Sequence, residues 1–200
     1  SAGVDWHERR KLLKVHFESN VLCDDALHEI QFGYVKRPCH DSHAFAADRY
    51  ESCSNRWTAL CEENRGFAIL QSGSRAVSTD RGEIALSLLR APLVPDDTAD
   101  RGHQGFNYAI MPFAAGFREA GVVKAGMAFA ECGRVNAGFD LDSDAIILET
   151  IKPADDSRSP AGSSDDIILR LYESLRTHAD GVLHLPFEAK VYESSMDEEK

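Results

Sequence analysis

The stretch Leu86-Ser-Leu-Leu-Arg-Ala-Pro-Leu-Val-Pro-Asp-Asp-Thr-Ala-Asp-Arg-Gly-His-Gln-Gly-Phe-Asn-Tyr-Ala-Ile110 carries the most information in this chain. An apolar run from Ile84 to Leu89 stops at Arg90 and Pro92, and a loop rich in Pro and Asp follows. A second, alternating run from Phe106 to Ile110 ends at Pro112. Proline fixes φ and removes a backbone donor, so it punctuates strands rather than extending them. The pattern reads as two strands joined by a long, acidic, structured loop.

Outward from that stretch the same grammar recurs. After Leu12, the residues Leu13, Val15 and Phe17 alternate onto one face. Ala26 to Lys36 reads as one strand broken at Gly33, which suggests a bulge or bend. Arg37 to Asn55 has weak periodicity and reads as a long loop, and Gly66 to Leu70 as a short buried strand. Ser72 to Arg75 reads as a turn. Ala76–Ser78 and Ile84–Leu89 flank Thr79-Asp80-Arg81-Gly82 and so form a hairpin. Between Ala114 and Ala130 the spacing becomes helical. Phe139–Leu141, Ala145–Ile151, Ile167–Glu173 and Gly181–Phe187 are further strands. Lys152 to Asp166 is rich in Pro, Ser and Asp and reads as a mobile hairpin tip. Many short strands with turn signals and one short helical segment predict a mainly β chain, a β-sandwich, and two hundred residues suit one domain or two small ones, of which the single domain over 1–200 is taken as the reading.

Composition narrows the function. The 43% hydrophobic content is ordinary for a globular chain, and no apolar stretch approaches the ~20 residues needed to cross a membrane. The net charge is −11, from 33 acidic and 22 basic residues. That disfavours nucleic acid or an anionic membrane as partner, because both need a basic face. Five cysteines (Cys23, Cys39, Cys53, Cys61 and Cys132), odd in number and without a C-x-x-C pair, read as thiols of a reducing compartment. A Cys39–Cys53 bridge across the loop is the less favoured alternative.

Ordered motifs along the chain resemble the C-terminal β-domain of glycoside hydrolase family 38, the retaining α-mannosidases. Val4-Asp5-Trp6-His7-Glu8 with Lys11-Leu12-Leu13-Lys14-Val15 resembles the opening D-W-H-E-x-x-x-L-L-K-V of that domain. Glu29-Ile30-Gln31-Phe32-Gly33 with Arg37-Pro38 resembles E-I-Q-F-G-x-x-x-R-P. The central stretch resembles L-S-L-L-R-S-P followed by P-D-P-x-A-D-x-G-x-H-x-F-x-Y-A-L. Arg118–Val123, Glu149 with Lys152-Pro153, and Arg170–Glu173 are similar to later family segments. The resemblance implies a large antiparallel β-sandwich like that of the galactose mutarotases, within the cytosolic and bacterial branch and hence a cytoplasmic protein. It also implies that the chain is the excised C-terminal part of a larger enzyme. Its partners would be its own N-terminal catalytic and helical domains and an α-mannoside, with a homo-oligomer possible in principle. Ser1-Ala2, or Ser1 to Gly3, then reads as a cleavage remnant. The family's Asp nucleophile and zinc ligands belong to the catalytic domain. None of their motifs is matched here, so no catalytic residue and no cofactor is assigned to this chain.

Within the chain, Asp100, Arg101 and His103 are the candidate substrate-binding residues, on a loop that the resemblance brings toward the sugar pocket. A guanidinium such as Arg101 can hydrogen-bond hydroxyls or fix a carboxylate. The competing reading is structural: Asp100 and Gly102 make a turn and His103 begins a strand. Asp96 and Asp97 are assigned to turn formation. His40-Asp41-Ser42-His43 has weak metal-ligand spacing and reads first as a polar capping loop. Trp57 is assigned to the core and Trp6 to interdomain packing. Arg170 and Tyr172 share one strand face, as a surface pair. The leading function is an accessory domain that buttresses a catalytic domain and lines its pocket. The alternative is a free-standing sugar-binding or aldose-epimerase-like module, in which His103 would pair with Glu173 or Glu83.

Overall fold

A computed structural model of the protein describes residues 1–73, 75–131, 138–154, 166–196 and 198. The chain divides into two compact units, residues 1–132 and 133–200, where the sequence reading treats it as one domain.

The first unit runs β1 (Ala2–Trp6), β2 (Leu13–Glu18), β3 (Asp25–Ile30), β4 (Gly33–Pro38), α1 (Ala44–Ala47), β5 (Ser52–Ser54), β6 (Trp57–Cys61), β7 (Gly66–Gln71), β8 (Arg75–Asp80), β9 (Glu83–Leu89), β10 (Gly102–Phe106), β11 (Tyr108–Phe113) and α2 (Val122–Ala130). Two antiparallel sheets form its sandwich, one of order β11-β7-β6-β3-β4 and one of order β2-β9-β8-β5. Ala26, Leu60, Phe67 and Ile69 of the first sheet meet Val77, Ile84 and Leu86 of the second in one buried cluster. The alternation of Leu13, Val15 and Phe17 is explained by this packing: Val15 and Phe17 lie against the cluster and pair with Leu86 and Ile84.

The far face of the five-stranded sheet is covered as well. Trp57 is wholly buried there, as the sequence assigns it, with the Phe117 ring centred 5.2 Å away. Helix α2 crosses at Gly126, where a Cβ would come within 2.7 Å of the indole Cδ1. Coverage on both faces explains why every residue of β7 is buried. It also explains why Gly66–Leu70 reads as a continuous apolar run rather than an alternating one.

The chain passes from one sheet to the other between Ser54 and Trp57, and buried polar groups hold that corner. Glu29, 2% exposed, accepts from the Arg56 backbone N–H at 2.5 Å and from Arg56 Nε at 2.8 Å. Arg56 also reaches Glu131 at 3.3 Å. Gln71 Nε2 donates to the carbonyls of Ser54 and Asn55 at 2.9 and 2.7 Å, and Ser54 Oγ donates to that of Trp57.

Several local readings change. Ala26–Lys36 is a hairpin rather than one kinked strand: β3 and β4 pair from Asp25↔Pro38 to Ile30↔Gly33, with Phe32 at φ 59° in the turn. The 37–55 loop contains α1 and the short strand β5. Arg75 leaves the turn and opens β8, with its guanidinium 5.3 Å from the Phe106 ring centre. The four described cysteines are thiols: Cys39 is buried with its sulfur 3.9 Å from that of Cys23, and Cys53 is exposed. Cys132 lies outside the described residues. The 79–82 hairpin turn forms as read, and of the segment read as helical over 114–130 only Val122–Ala130 forms a helix.

The second unit holds β12 (Asp140–Asp142), β13 (Ile146–Pro153), β14 (Ile167–Glu173) and β15 (Val182–His184), paired β13 with β14 and β12 with β15. The β13–β14 register shifts between Leu148 and Thr150, leaving Glu149 as the extra residue. Phe139 packs edge-on against Phe187, and Ser174 Oγ donates to the Ala145 carbonyl at 2.8 Å. Most of the expected 152–166 hairpin tip lies outside the described residues. No helix among the described residues is long and apolar enough to cross a membrane.

His28 gives the fold a pH signature. It is wholly buried on β3, and neither ring nitrogen has a hydrogen-bond partner among the described residues. Burial, aided by the Arg37 charge on β4, pushes it down from 6.5 to about 4. The unfolded chain therefore takes up this proton first. The stability His28 contributes is complete above pH 6.5 and is lost as pH falls to about 4. The loss is on the order of 3 kcal/mol. Urea titrations of wild type and His28→Leu across this window should show a shallower pH slope in the variant, and equal slopes would refute the assignment.

Candidate functional site

The loop between β9 and β10 is built from its aspartates. Asp100 sits at φ 65°, a left-handed conformation that Asp tolerates better than most residues. Its Oδ2 accepts from the backbone N–H groups of Arg90 and Ala91, both at 2.9 Å. One carboxylate oxygen thus ties the end of the loop to its beginning. Ala91, itself at φ 43°, accepts from Arg10 N–H at 2.9 Å, which fastens the loop to the segment before β2. Asp96 Oδ1 accepts from Thr98 N–H at 2.8 Å and Thr98 Oγ1 at 2.7 Å, a local turn of the kind the sequence assigns to it. These bonds, with the Arg101 charge, hold the Asp96 carboxyl below its ordinary range. Asp97 lies 3.6 Å from Arg9 across an exposed pair worth little energy.

Strand β10 leaves this loop and pairs with β1 as a two-stranded ribbon. Trp6 lies opposite Gly102, and Asp5 opposite His103. Gly102 has φ 88°, so a side chain there would strain the turn that starts the ribbon. Val4 and Trp6 point to the half-buried face, while Asp5 and His103 point outward. His7 Nε2 is 3.0 Å from Asp5 Oδ1, and His103 Nδ1 is 3.9 Å from the same oxygen. An outward-facing His7–Asp5–His103 row is the result, with His103 91% exposed. Arg101 stands at the root of the ribbon. Its Nη2 is buried and has no hydrogen-bond partner among the described residues.

The structure therefore brings Asp100, Arg101 and His103 to one loop end, but in unlike roles. Asp100 is occupied by two backbone donors, Arg101 keeps a buried donor unmatched, and His103 faces solvent. Asp5 and His7 escaped the sequence reading. Their signal was the alternation of Val4 and Trp6 with Asp5 and His7, but its meaning depends on a pairing with β10 almost a hundred residues away. Glu83 lies against His16 on the four-stranded sheet, in a different setting from His103. His40 contacts Ser42, and His43 Nδ1 caps α1 by accepting from Ala46 N–H. Among the described residues no group of three or more His, Cys, Asp or Glu side chains converges as metal ligands. Chemically, the ribbon row and Arg101 can donate to and accept from hydroxyl groups. The loop's three aspartates are each engaged, Asp96 in a local turn, Asp97 with Arg9 and Asp100 with two backbone donors.

These elements define an antiparallel β-sandwich domain that carries a polar loop beside its β1–β10 ribbon. Residues 1–98 match the family model described as glycosyl hydrolases family 38 C-terminal domain, and residues 145–200 match that of the family's C-terminal beta sandwich domain. The chain belongs to the C-terminal region of glycoside hydrolase family 38. It is 39% identical over 193 residues to human alpha-mannosidase 2C1, covering 91% of this chain and 18% of the relative. It is 32% identical over 215 residues to alpha-mannosidase G of Dictyostelium discoideum, covering 98% of this chain and 19% of the relative. The crystal structure of an alpha-mannosidase from Enterococcus faecalis V583 shares the fold, with a TM-score of 0.71 at 14% identity over 91% of this chain and 22% of that one. The chain thus spans less than a fifth of the length of these curated relatives.

The Asp100 tie is testable by itself. Asp100→Ala removes the acceptor of two backbone N–H groups and should cost about 1–2 kcal/mol. Asp100→Asn keeps an acceptor and suits φ > 0, so it should recover most of the loss. Chemical denaturation of the three proteins measures this, and equal stability of Asp100→Ala and wild type would show that the tie contributes nothing.

Proposed function

We propose that this chain is the accessory C-terminal β-domain of a retaining α-mannosidase of the cytoplasm. It buttresses the catalytic domain and presents the 96–103 loop to the mannose pocket. In this reading the nucleophile, the acid/base and the zinc belong to the rest of the enzyme, and the domain's partners are those domains and the α-mannoside. The observation that carries the reading is Arg101. A buried guanidinium nitrogen without a partner, on a loop end whose backbone Asp100 makes rigid, is a donor held ready for an acceptor outside this unit. A substrate hydroxyl or a catalytic carboxylate supplies that acceptor. The names of the relatives, all alpha-mannosidases, support the substrate class.

Two measurements test this. The 200-residue chain alone, given an aryl α-mannoside and zinc, should show no turnover above a heat-killed control, and metal-dependent hydrolysis would overturn the accessory reading. In the intact enzyme, Arg101→Ala should lower kcat/KM by roughly tenfold to a hundredfold, the equivalent of about 1.5–3 kcal/mol for a lost charged hydrogen bond. The thermal midpoint should stay near that of wild type. Arg65→Ala, which removes an exposed guanidinium paired with Glu62, serves as the neutral control. If Arg101→Ala matches wild type in kcat/KM while folded, the loop serves structure alone.

A further inference from the structure

Three cysteines distant in sequence meet at the open end of the β3–β4 hairpin. Cys23 precedes β3 and Cys39 follows β4, and Cys39 N–H donates to the Asp24 carbonyl at 2.8 Å, which holds the two segments side by side. The two sulfurs are 3.9 Å apart, within hydrogen-bond contact of one another. Their environments differ. Cys39 is wholly buried in the sandwich core. Cys23 is half-buried and, with Cys61 and Lys36, lines a surface cavity of about 480 Å³. A small oxidant can therefore reach Cys23 but not Cys39.

We propose that Cys23 and Cys39 form an oxidisable dithiol, with Cys23 attacking a hydroperoxide and Cys39 resolving the product as an intramolecular disulfide. The Cys23 sulfur attacks one peroxide oxygen. An S–O bond forms, the O–O bond breaks, and the departing oxygen takes the thiol proton and leaves as water from hydrogen peroxide, or as the alcohol from an organic hydroperoxide. The Cys39 sulfur then attacks the Cys23 sulfenic acid. The S–S bond forms, the S–O bond breaks, and hydroxide leaves with the Cys39 proton as water. Two thiols lose two electrons and one peroxide gains them.

Geometry and electrostatics agree on the order of attack. The Cys39 thiol beside it and a hydrogen bond from the Cys61 backbone outweigh burial and hold Cys23 below its ordinary value. The same contact and burial hold Cys39 above its own, while burial and the nearby Cys23 push Cys61 up to about 12. A reachable thiol beside a resolving neighbour is the arrangement of reversible redox sites, and such bridges are compatible with a reducing compartment because they are transient. Disulfide formation requires the sulfurs to close to about 2.05 Å, and the accessible Cys23 side chain is the one with room to move.

The test exposes the reduced 200-residue chain to hydrogen peroxide, blocks remaining thiols with N-ethylmaleimide under denaturing conditions, and maps tryptic peptides by mass. Cleavage at Lys14, Lys36 and Arg49 separates Cys23, in peptide 15–36, from Cys39, in peptide 37–49. The expected product is these two peptides joined, lighter than their sum by two hydrogens and separated again by dithiothreitol. In Cys23→Ser, Cys39 should be recovered fully alkylated after the same exposure. In Cys39→Ala, Cys23 should carry one oxygen that dimedone traps. The proposal is overturned if wild type leaves both cysteines alkylated while Cys53 or Cys61 oxidises, or if Cys23 joins Cys61 instead. Should the core substitution Cys39→Ala fail to fold, Cys23→Ser at its half-buried position decides: oxidation of Cys39 there as fast as in wild type overturns the assignment.

Discussion

The corner between Ser54 and Trp57 is the constraint on which the sandwich depends. There the chain leaves the four-stranded sheet and enters the five-stranded one. A crossing of this kind exposes backbone groups to the protein interior, where each unpaired one costs as much as a lost hydrogen bond. Glu29 meets this with a carboxylate that takes both the Arg56 N–H and its guanidinium. Gln71 meets it from the other side by donating to two corner carbonyls. A buried carboxylate is costly to desolvate, and it persists here because its charge is matched and its lone pairs are used. Removing either partner would leave a buried charge or an unpaired backbone at the point where the two sheets are joined. The Glu29 of the E-I-Q-F-G segment is therefore explained by fold, not by chemistry.

How much of this was legible follows from sequence distance. The 79–82 hairpin was legible because all its determinants lie within a few residues: alternating strands and an Arg81-Gly82 pair at positive φ. Buried β7 was legible because apolar coverage on both faces leaves a continuous run. The β3–β4 hairpin was misread because the turn at Phe32 carries no strong turn dipeptide, so Gly33 looked like a bulge inside one strand. The corner was illegible because Glu29 and Arg56 are 27 residues apart. The β1–β10 ribbon was illegible because its paired residues, Asp5 and His103 among them, lie almost a hundred positions apart in sequence. Arg75 was misplaced for a related reason: its polar character suggested a turn, but its partner is the face of Phe106. The family was legible all the same, since the resemblance sums ordered matches spread along the chain.

For the candidate loop, the competing readings of Asp100, Arg101 and His103 separate by what each side chain touches. Asp100 spends its carboxylate on the backbone and so behaves as the turn residue the structural reading describes. His103 sits on an outward face beside Asp5 and His7, its Nδ1 3.9 Å from Asp5 Oδ1 and its ring open to solvent. The loop's rigidity matters to the functional reading as much as to the structural one. A binding group is effective only when its support prevents it from moving, and the Asp100 tie and the Arg10–Ala91 bond supply that support.

Unpartnered polar atoms mean different things at different depths. His28 lies wholly inside the sandwich, so its two unpaired nitrogens are met by neutralising the ring, at the cost of a pH-dependent stability. Arg101 cannot take that route, because a guanidinium stays charged at any pH the fold survives. Its buried Nη2 has no hydrogen-bond partner among the described residues, while its charge stands near the Asp96 carboxyl. The same physics that makes His28 a liability of the core thus leaves Arg101 charged and one donor short, and on the proposed reading that donor is completed from outside the unit.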